Sequence, residues 1–169
     1  GATGGVLWTS AVLGGPTAQA GPIVVAGSRL VVGLERLYAL DPASGAVDAS
    51  WGSAATGVPV GQEILSLAVS GAAIHIAGSF TSFGGQARGN LAAVDVATGA
   101  LLPWAPQASA PVESLSASPN GGVFALASKQ NFGPFATING QQRTSGVFEI
   151  DPAGSVTSWN AAATFIPTS

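Results

Sequence analysis

The sequence predicts an all-β chain built from repeated four-stranded antiparallel sheets, and three observations carry that expectation. A pattern of Asp, then Ser/Thr-Gly, then Trp recurs along the 169 residues. Short apolar runs rich in Val, Ile and Leu alternate with Gly, Pro, Ser and Asn, which is the spacing of strands and turns. No stretch sustains an amphipathic helical period over three turns.

The repeat comes first, because it changes how every other residue is read. Asp41-Pro-Ala-Ser-Gly45 leads to Trp51, Asp95-Val-Ala-Thr-Gly99 to Trp104, and Asp151-Pro-Ala-Gly154 to Trp159. Ala2-Thr-Gly-Gly-Val-Leu-Trp8 matches Ala97-Thr-Gly-Ala-Leu-Leu-Pro-Trp104, so the pattern begins part-way through a unit. All four Trp belong to it, at spacings of 43, 53 and 55. A second motif joins the last two units: Gly78-Ser-Phe-Thr-Ser-Phe-Gly-Gly-Gln-Ala-Arg88 matches Gly133-Pro-Phe-Ala-Thr-Ile-Asn-Gly-Gln-Gln-Arg143.

The best unit predicts strands over 65–70, 73–80, 91–96 and 100–104. The unit from Pro22 to Trp51 has the same layout without the Gly-Gly-Gln-x-Arg loop, and the last carries an insertion around 128–132. The expected boundaries are 1–20 for the end of a preceding unit, then 21–60, 61–111 and 112–169. Units of this length, each with four antiparallel strands and one Trp, point to β-propeller blades. A blade cannot bury both faces of its sheet alone, so it stacks on its neighbours. About three blades fall short of the four to eight of a closed ring. A fragment of a larger propeller is the favoured expectation, with a ring completed by association of copies second and an open stack covered by partners third.

Composition narrows the function classes. Charged residues are 8% of the chain, against about 25% in ordinary domains. Five scattered Lys and Arg cannot form a phosphate-neutralising stripe, so a nucleic-acid partner is not expected. The absence of Cys removes disulfides, thiolate metal sites and a Cys nucleophile. Residues 1–28 carry no charge, yet Gly14, Gly15, Pro16, Gln19 and Pro22 break any spanning helix, and no basic region precedes an apolar block. No membrane span is expected. The lack of a Met start suggests a processed or excised piece, and the lack of Cys and of a Lys-rich surface favours an exported or cell-surface location.

Residues 78–104 resemble the delta-60-repeat β-propeller family, whose blades carry a Gly-Ser-Phe-Thr, Gly-Gly-Gln-x-Arg and Asp-x-x-Thr-Gly series. The resemblance is good over 64–112 and fair over 112–165. Arg36-Leu-Tyr-Ala-Leu-Asp-Pro-Ala-Ser-Gly45 is similar instead to blades of quinoprotein-type propellers, over the third and fourth strands only. The delta-60 resemblance implies a propeller scaffold and brings no catalytic residues with it.

Each candidate site has a plainer alternative. Asp41, Asp95 and Asp151 could suggest acid/base pairs or calcium, but Asp before a turn accepts nearby backbone N–H groups, and the following Gly supplies positive φ. A blade repeat also spreads equivalent carboxylates apart, and no segment alternates Asp and Asn as a calcium loop does. Trp8, Trp51, Trp104 and Trp159 could stack on sugars; their fixed place in the repeat favours packing between blades. Gln86, Arg88, Gln141 and Arg143 are the better binding candidates, since an Arg fork takes a carboxylate, phosphate or sugar hydroxyl. Against that, Gln and Arg can satisfy backbone carbonyls of the adjoining blade. His75 stands between Ile74 and Ile76 and is turned by strand period to the opposite face. It has no second His or Cys to share a metal, and no Gly-x-Ser-x-Gly elbow or phosphate loop accompanies it.

The chain is therefore expected to have no catalytic residues, metal or cofactor. The leading functional expectation is a non-enzymatic propeller module for recognition or assembly, with a protein partner or self-association. Residues 1–10, 99–112 and 152–169 carry no charge, and an uncharged edge is poorly protected against pairing. The first alternative is a segment of a quinoprotein-like or hydrolase propeller whose active site lies mostly elsewhere. The second is a lectin binding carbohydrate.

Overall fold

The computed structural model describes residues 21–52, 57–128 and 136–160. Trp8 and the unit expected over 1–20 lie outside these, as does most of the insertion expected over 128–132. Among the described residues the chain is all-β: eleven strands in small antiparallel sheets, with no helix.

The first sheet is β1 (Ile23–Ala26), β2 (Arg29–Gly33) and β3 (Leu37–Leu40), in chain order. The second contains β4 (Glu63–Ser70), β5 (Ala73–Ser79) and β8 (Leu91–Asp95). Between them β6 (Ser82–Phe83) and β7 (Gln86–Ala87) form a separate hairpin over Gly84 and Gly85, both at positive φ. The third sheet is β9 (Val112–Ala117), β10 (Val123–Ala127) and β11 (Val147–Ile150). Each three-stranded sheet lies within one sequence unit.

The fourth strand expected in each unit is reduced to one bridge: Leu40 with Val47, Val94 with Leu101, Ile150 with Val156. The residues beyond each bridge account for the shortness. Ser50 donates its amide to Asp48 Oδ1, Pro103 has no amide to donate, and Trp159 donates its amide to Thr157 Oγ1. Each segment turns away after about one pair of bonds.

The sheets stack face to face, and strand period decides which face goes where. Ile74, Ile76, Ala92 and Val94 point from the second sheet to the first, joining Val31, Leu37 and Ala39. Ala68, Ala77, Leu91 and Ala93 point the other way, joining Leu115, Ala125, Phe148 and Ile150 of the third. Burial of each larger apolar side chain contributes about 1.5–3 kcal/mol relative to exposure, so these two seams hold the array together. The Leu115 amide also donates to Ser66 Oγ at 2.9 Å, tying β9 to β4.

The outer faces are less covered. Ile23 and Val25 are the register counterparts of Leu67 and Val69, which pack in the first seam. They are 57% and 68% exposed, and among the described residues no further sheet packs on that side.

Candidate functional site

The three Asp residues close equivalent turns. Asp41 Oδ1 accepts the Ala43 and Ser44 amides, Asp95 Oδ1 accepts the Thr98 amide and hydroxyl, and Asp151 Oδ1 accepts the Ala153 and Ser155 amides. The hydroxyl of Ser44 on Asp41 and that of Thr98 on Asp95 hold these two carboxyls below the usual carboxylate range. Gly45, Gly99 and Gly154 follow at φ of 70°, 71° and 89°.

These turns also receive the indoles of the preceding unit. Trp51 Nε1 donates to the Val96 carbonyl at 2.9 Å, and Trp104 Nε1 donates to the Asp151 carbonyl at 3.1 Å. A Cβ on Gly99 would lie 2.9 Å from the Trp51 ring and 2.6 Å from the Gly52 backbone, so only glycine lets this seam close. Trp159, by contrast, is 38% exposed and rests on Phe124 of its own unit, with ring centroids 4.8 Å apart.

The Gln-x-Arg pairs are used inside their own units. Arg88 donates from Nη1 to the Ala87 carbonyl and from Nη2 to Gln86 Oε1 and the Leu102 carbonyl. Arg143 repeats this on the Gln142 carbonyl, Gln141 Oε1 and the Thr157 carbonyl. Each guanidinium thus fastens its hairpin to the segment just before the unit's Trp. The carbonyls belong to the same unit, whereas the sequence suggested the adjoining one. Both Nε atoms are buried without a partner among the described residues, a cost the paired Nη bonds offset.

A different place gathers more chemistry. Between the second and third units lies a cavity of about 280 Å³, lined by His75, Trp104, Asp95, Ala73, Ala93 and Leu102 on one side. Exposed Gly121 and Pro152 of the third unit bound the other side, so it opens to solvent. His75 is 3% exposed and meets the Trp104 ring edge-to-face at 4.6 Å. Its Nδ1 is buried with no hydrogen-bond partner among the described residues, and desolvation lowers the imidazole pKa to about 4, so the ring is neutral at pH 7.

Register shows why the cavity is there. Val31, His75 and Phe124 are equivalent, each paired with the residue of the following strand that accepts a bond from the fourth segment. Those bonds run from the amides of Asp48, Leu102 and Thr157 to the carbonyls of Ala39, Ala93 and Glu149. In the first unit, Arg29 and Asp48 occupy the equivalent positions as a half-buried ion pair of 2.9 Å. In the third, Glu149 fills the space, accepting from Ser118 Oγ, Asn120 Nδ2 and Thr157 Oγ1, which hold its carboxyl below the usual range. The middle unit has Ala73, Ala93 and Leu102 at those positions, and the space stays open. Strand alternation in the sequence places His75 on the correct face but gives no sign of the cavity, which becomes visible only when the three units are laid in register.

Among the described residues, no group of three or more His, Asp or Glu converges as a metal site, and no helix is long and apolar enough to cross a membrane. No protein-family model matches the chain, and no curated protein matches it. Among solved structures fourteen chains match. One is the crystal structure of the computationally designed Ika4 protein, at 14% identity and a TM-score of 0.37, covering 80% of this chain and 98% of that one.

Proposed function

We propose that the chain is a non-enzymatic repeat module of β-propeller type, acting outside the cell or on its surface, that works by stacking against a protein partner or further copies. The observation that carries this reading is the repeated seam: Trp51 on Val96 and Trp104 on Asp151, with Trp159 half-open at the end of the series. Ile23 and Val25 offer an apolar surface on the first unit, and Trp159 offers an indole on the last. The Arg forks and Asp turns are engaged in holding their own loops, which favours a structural use of the repeated polar residues over a catalytic one.

Sedimentation velocity over a wide concentration range tests the reading. Association that rises with concentration is expected, and Trp159→Ala or Val25→Lys should weaken it while leaving the fold intact. A monodisperse monomer at the highest attainable concentration, with no partner retained from the protein's native extracellular fraction, would overturn it.

A further inference from the structure

We propose that the cavity between the second and third units binds a small organic ammonium ion with an apolar body, its charge set by Asp95 and His75 and its body laid against Trp104 and Leu102. The inference stands apart from the stacking role, since it concerns a space inside a seam that is already closed. Three observations carry it.

The first is the comparison of units. Two of three fill this position from their own sequence, with Arg29–Asp48 and with the Glu149 network. The middle unit leaves it vacant, with Ala73 and Leu102 where the first has Arg29 and Asp48, and Ala93 and Leu102 where the third has Glu149 and Thr157. A vacancy of about 280 Å³ suits a ligand of a few to about ten heavy atoms, at the small end of ligand sites.

The second is the buried imidazole. The positions equivalent to His75 hold Val31 and Phe124, so the fold does not require a polar ring there. An unpaired polar atom in a buried ring costs about 1–3 kcal/mol, and a polar ring at such a position fits a role towards a partner that the described residues do not supply.

The third is charge. Asp95 is the lining's one charged group, its turn bonds fall on Oδ1, and no cation pairs with it among the described residues. With a neutral imidazole beside it, the cavity has a negative potential and no group to compensate an anion. The Trp104 indole is fixed by its bond to Asp151, and an aromatic ring attracts a nearby cation. Of the remaining lining side chains only Ser70 is polar, and Ala72, Ala73, Ala93, Leu102 and Pro152 are apolar, which suits an apolar body and offers too few donors for a sugar.

Benzylammonium is the probe, with benzyl alcohol and benzoate as its neutral and anionic counterparts. Side-chain NMR of the His75 imidazole and the Trp104 indole should show saturable shifts with benzylammonium. Binding of benzyl alcohol should be weaker by about tenfold or more, and benzoate should give no shift. The double variant Ala73→Arg/Leu102→Asp rebuilds the first unit's ion pair in the cavity and should abolish binding. Asp95→Asn keeps an acceptor for the turn and should weaken benzylammonium about tenfold while leaving benzyl alcohol unchanged. It serves independently if the double variant does not fold. No saturable shift with benzylammonium, equal affinity for benzyl alcohol, or unchanged binding in a folded variant would each overturn the proposal.

Discussion

Trp104 Nε1 donates to the carbonyl of Asp151, 47 residues further on, and so joins the end of one unit to the turn of the next. Trp51 makes the same connection to Val96 across 45 residues. In Trp104→Phe the ring remains but the donor is lost, and the Asp151 carbonyl keeps only the Gly154 amide. Chemical denaturation should show a loss of about 1 kcal/mol. Trp159→Phe, at an indole with no such acceptor among the described residues, should change stability by less than about 0.5 kcal/mol. Equal losses in the two variants would mean that the seam bond contributes nothing.

Glycine at the receiving turn is required twice over at Gly99 and once at Gly154. In Gly99→Ala the new methyl would meet the Gly52 backbone and the Trp51 ring, at a positive φ as well. A loss of roughly 2–5 kcal/mol is expected. At Gly154 the nearest atom, Cδ1 of Trp104, is 3.4 Å away, so Gly154→Ala carries backbone strain alone, about 1 kcal/mol. Thermal melts of the two variants should therefore separate clearly, with Gly99→Ala the lower.

His75 gives stability a pH dependence of definite sign. The unfolded chain takes up a proton near pH 6.5, but the folded ring does so only near pH 4. Between those values the unfolded state binds more protons, so the stability present above pH 6.5 is lost as pH falls towards 4. The loss amounts to about 3 kcal/mol. Asp41, Asp48, Asp95 and Glu149 are all held below the usual carboxylate range, so their own losses begin at lower pH. Denaturation midpoints of His75→Phe should be flat from pH 6.5 to about 4.5, where those of the parent chain fall.

Arg88 holds the Gly-Gly hairpin against the segment before Trp104. Arg88→Ala leaves the Leu102 carbonyl and Gln86 without their charged donor, at a cost of about 2–3 kcal/mol. Arg88→Lys should recover less than half of that, because one ammonium cannot span three acceptors. The more exposed Arg143 should show the same order of effects at about half the size. Unchanged stability in Arg88→Ala would leave the fork free for a ligand, and would restore the binding role suggested by its residue type.

Much of this architecture is legible in the sequence because it is local. The Asp turns, their glycines and the alternation around His75 depend on residues within a few positions of one another. The Gln-x-Arg motif is legible as a repeat but not as a clamp, since its acceptors at Leu102 and Thr157 lie 14 residues downstream and are backbone atoms without a side-chain signature. The fourth strands are shorter than the sequence suggests because apolar character continues past the point where Pro103 or a side-chain bond turns the chain. Trp159 looks equivalent to Trp51 and Trp104, yet an indole's burial depends on what lies across from it. The cavity is least legible of all. It is the absence, in one unit, of side chains that the other two supply.

The seat on which Trp51 and Trp104 land is itself the hairpin turn of the next unit, so each of these two seams joins a plug to a socket. Coupling of this kind is passed only between nearest neighbours, and the energetics are those of a one-dimensional chain of linked elements. Length is then a free variable, each added unit contributing a similar increment. The outer units fray first, and the second, gripped through Trp51 on one side and Trp104 on the other, opens last. Amide exchange should therefore be slowest at Ile74, Ile76 and Val94, in the middle sheet and far in sequence from both ends of the array.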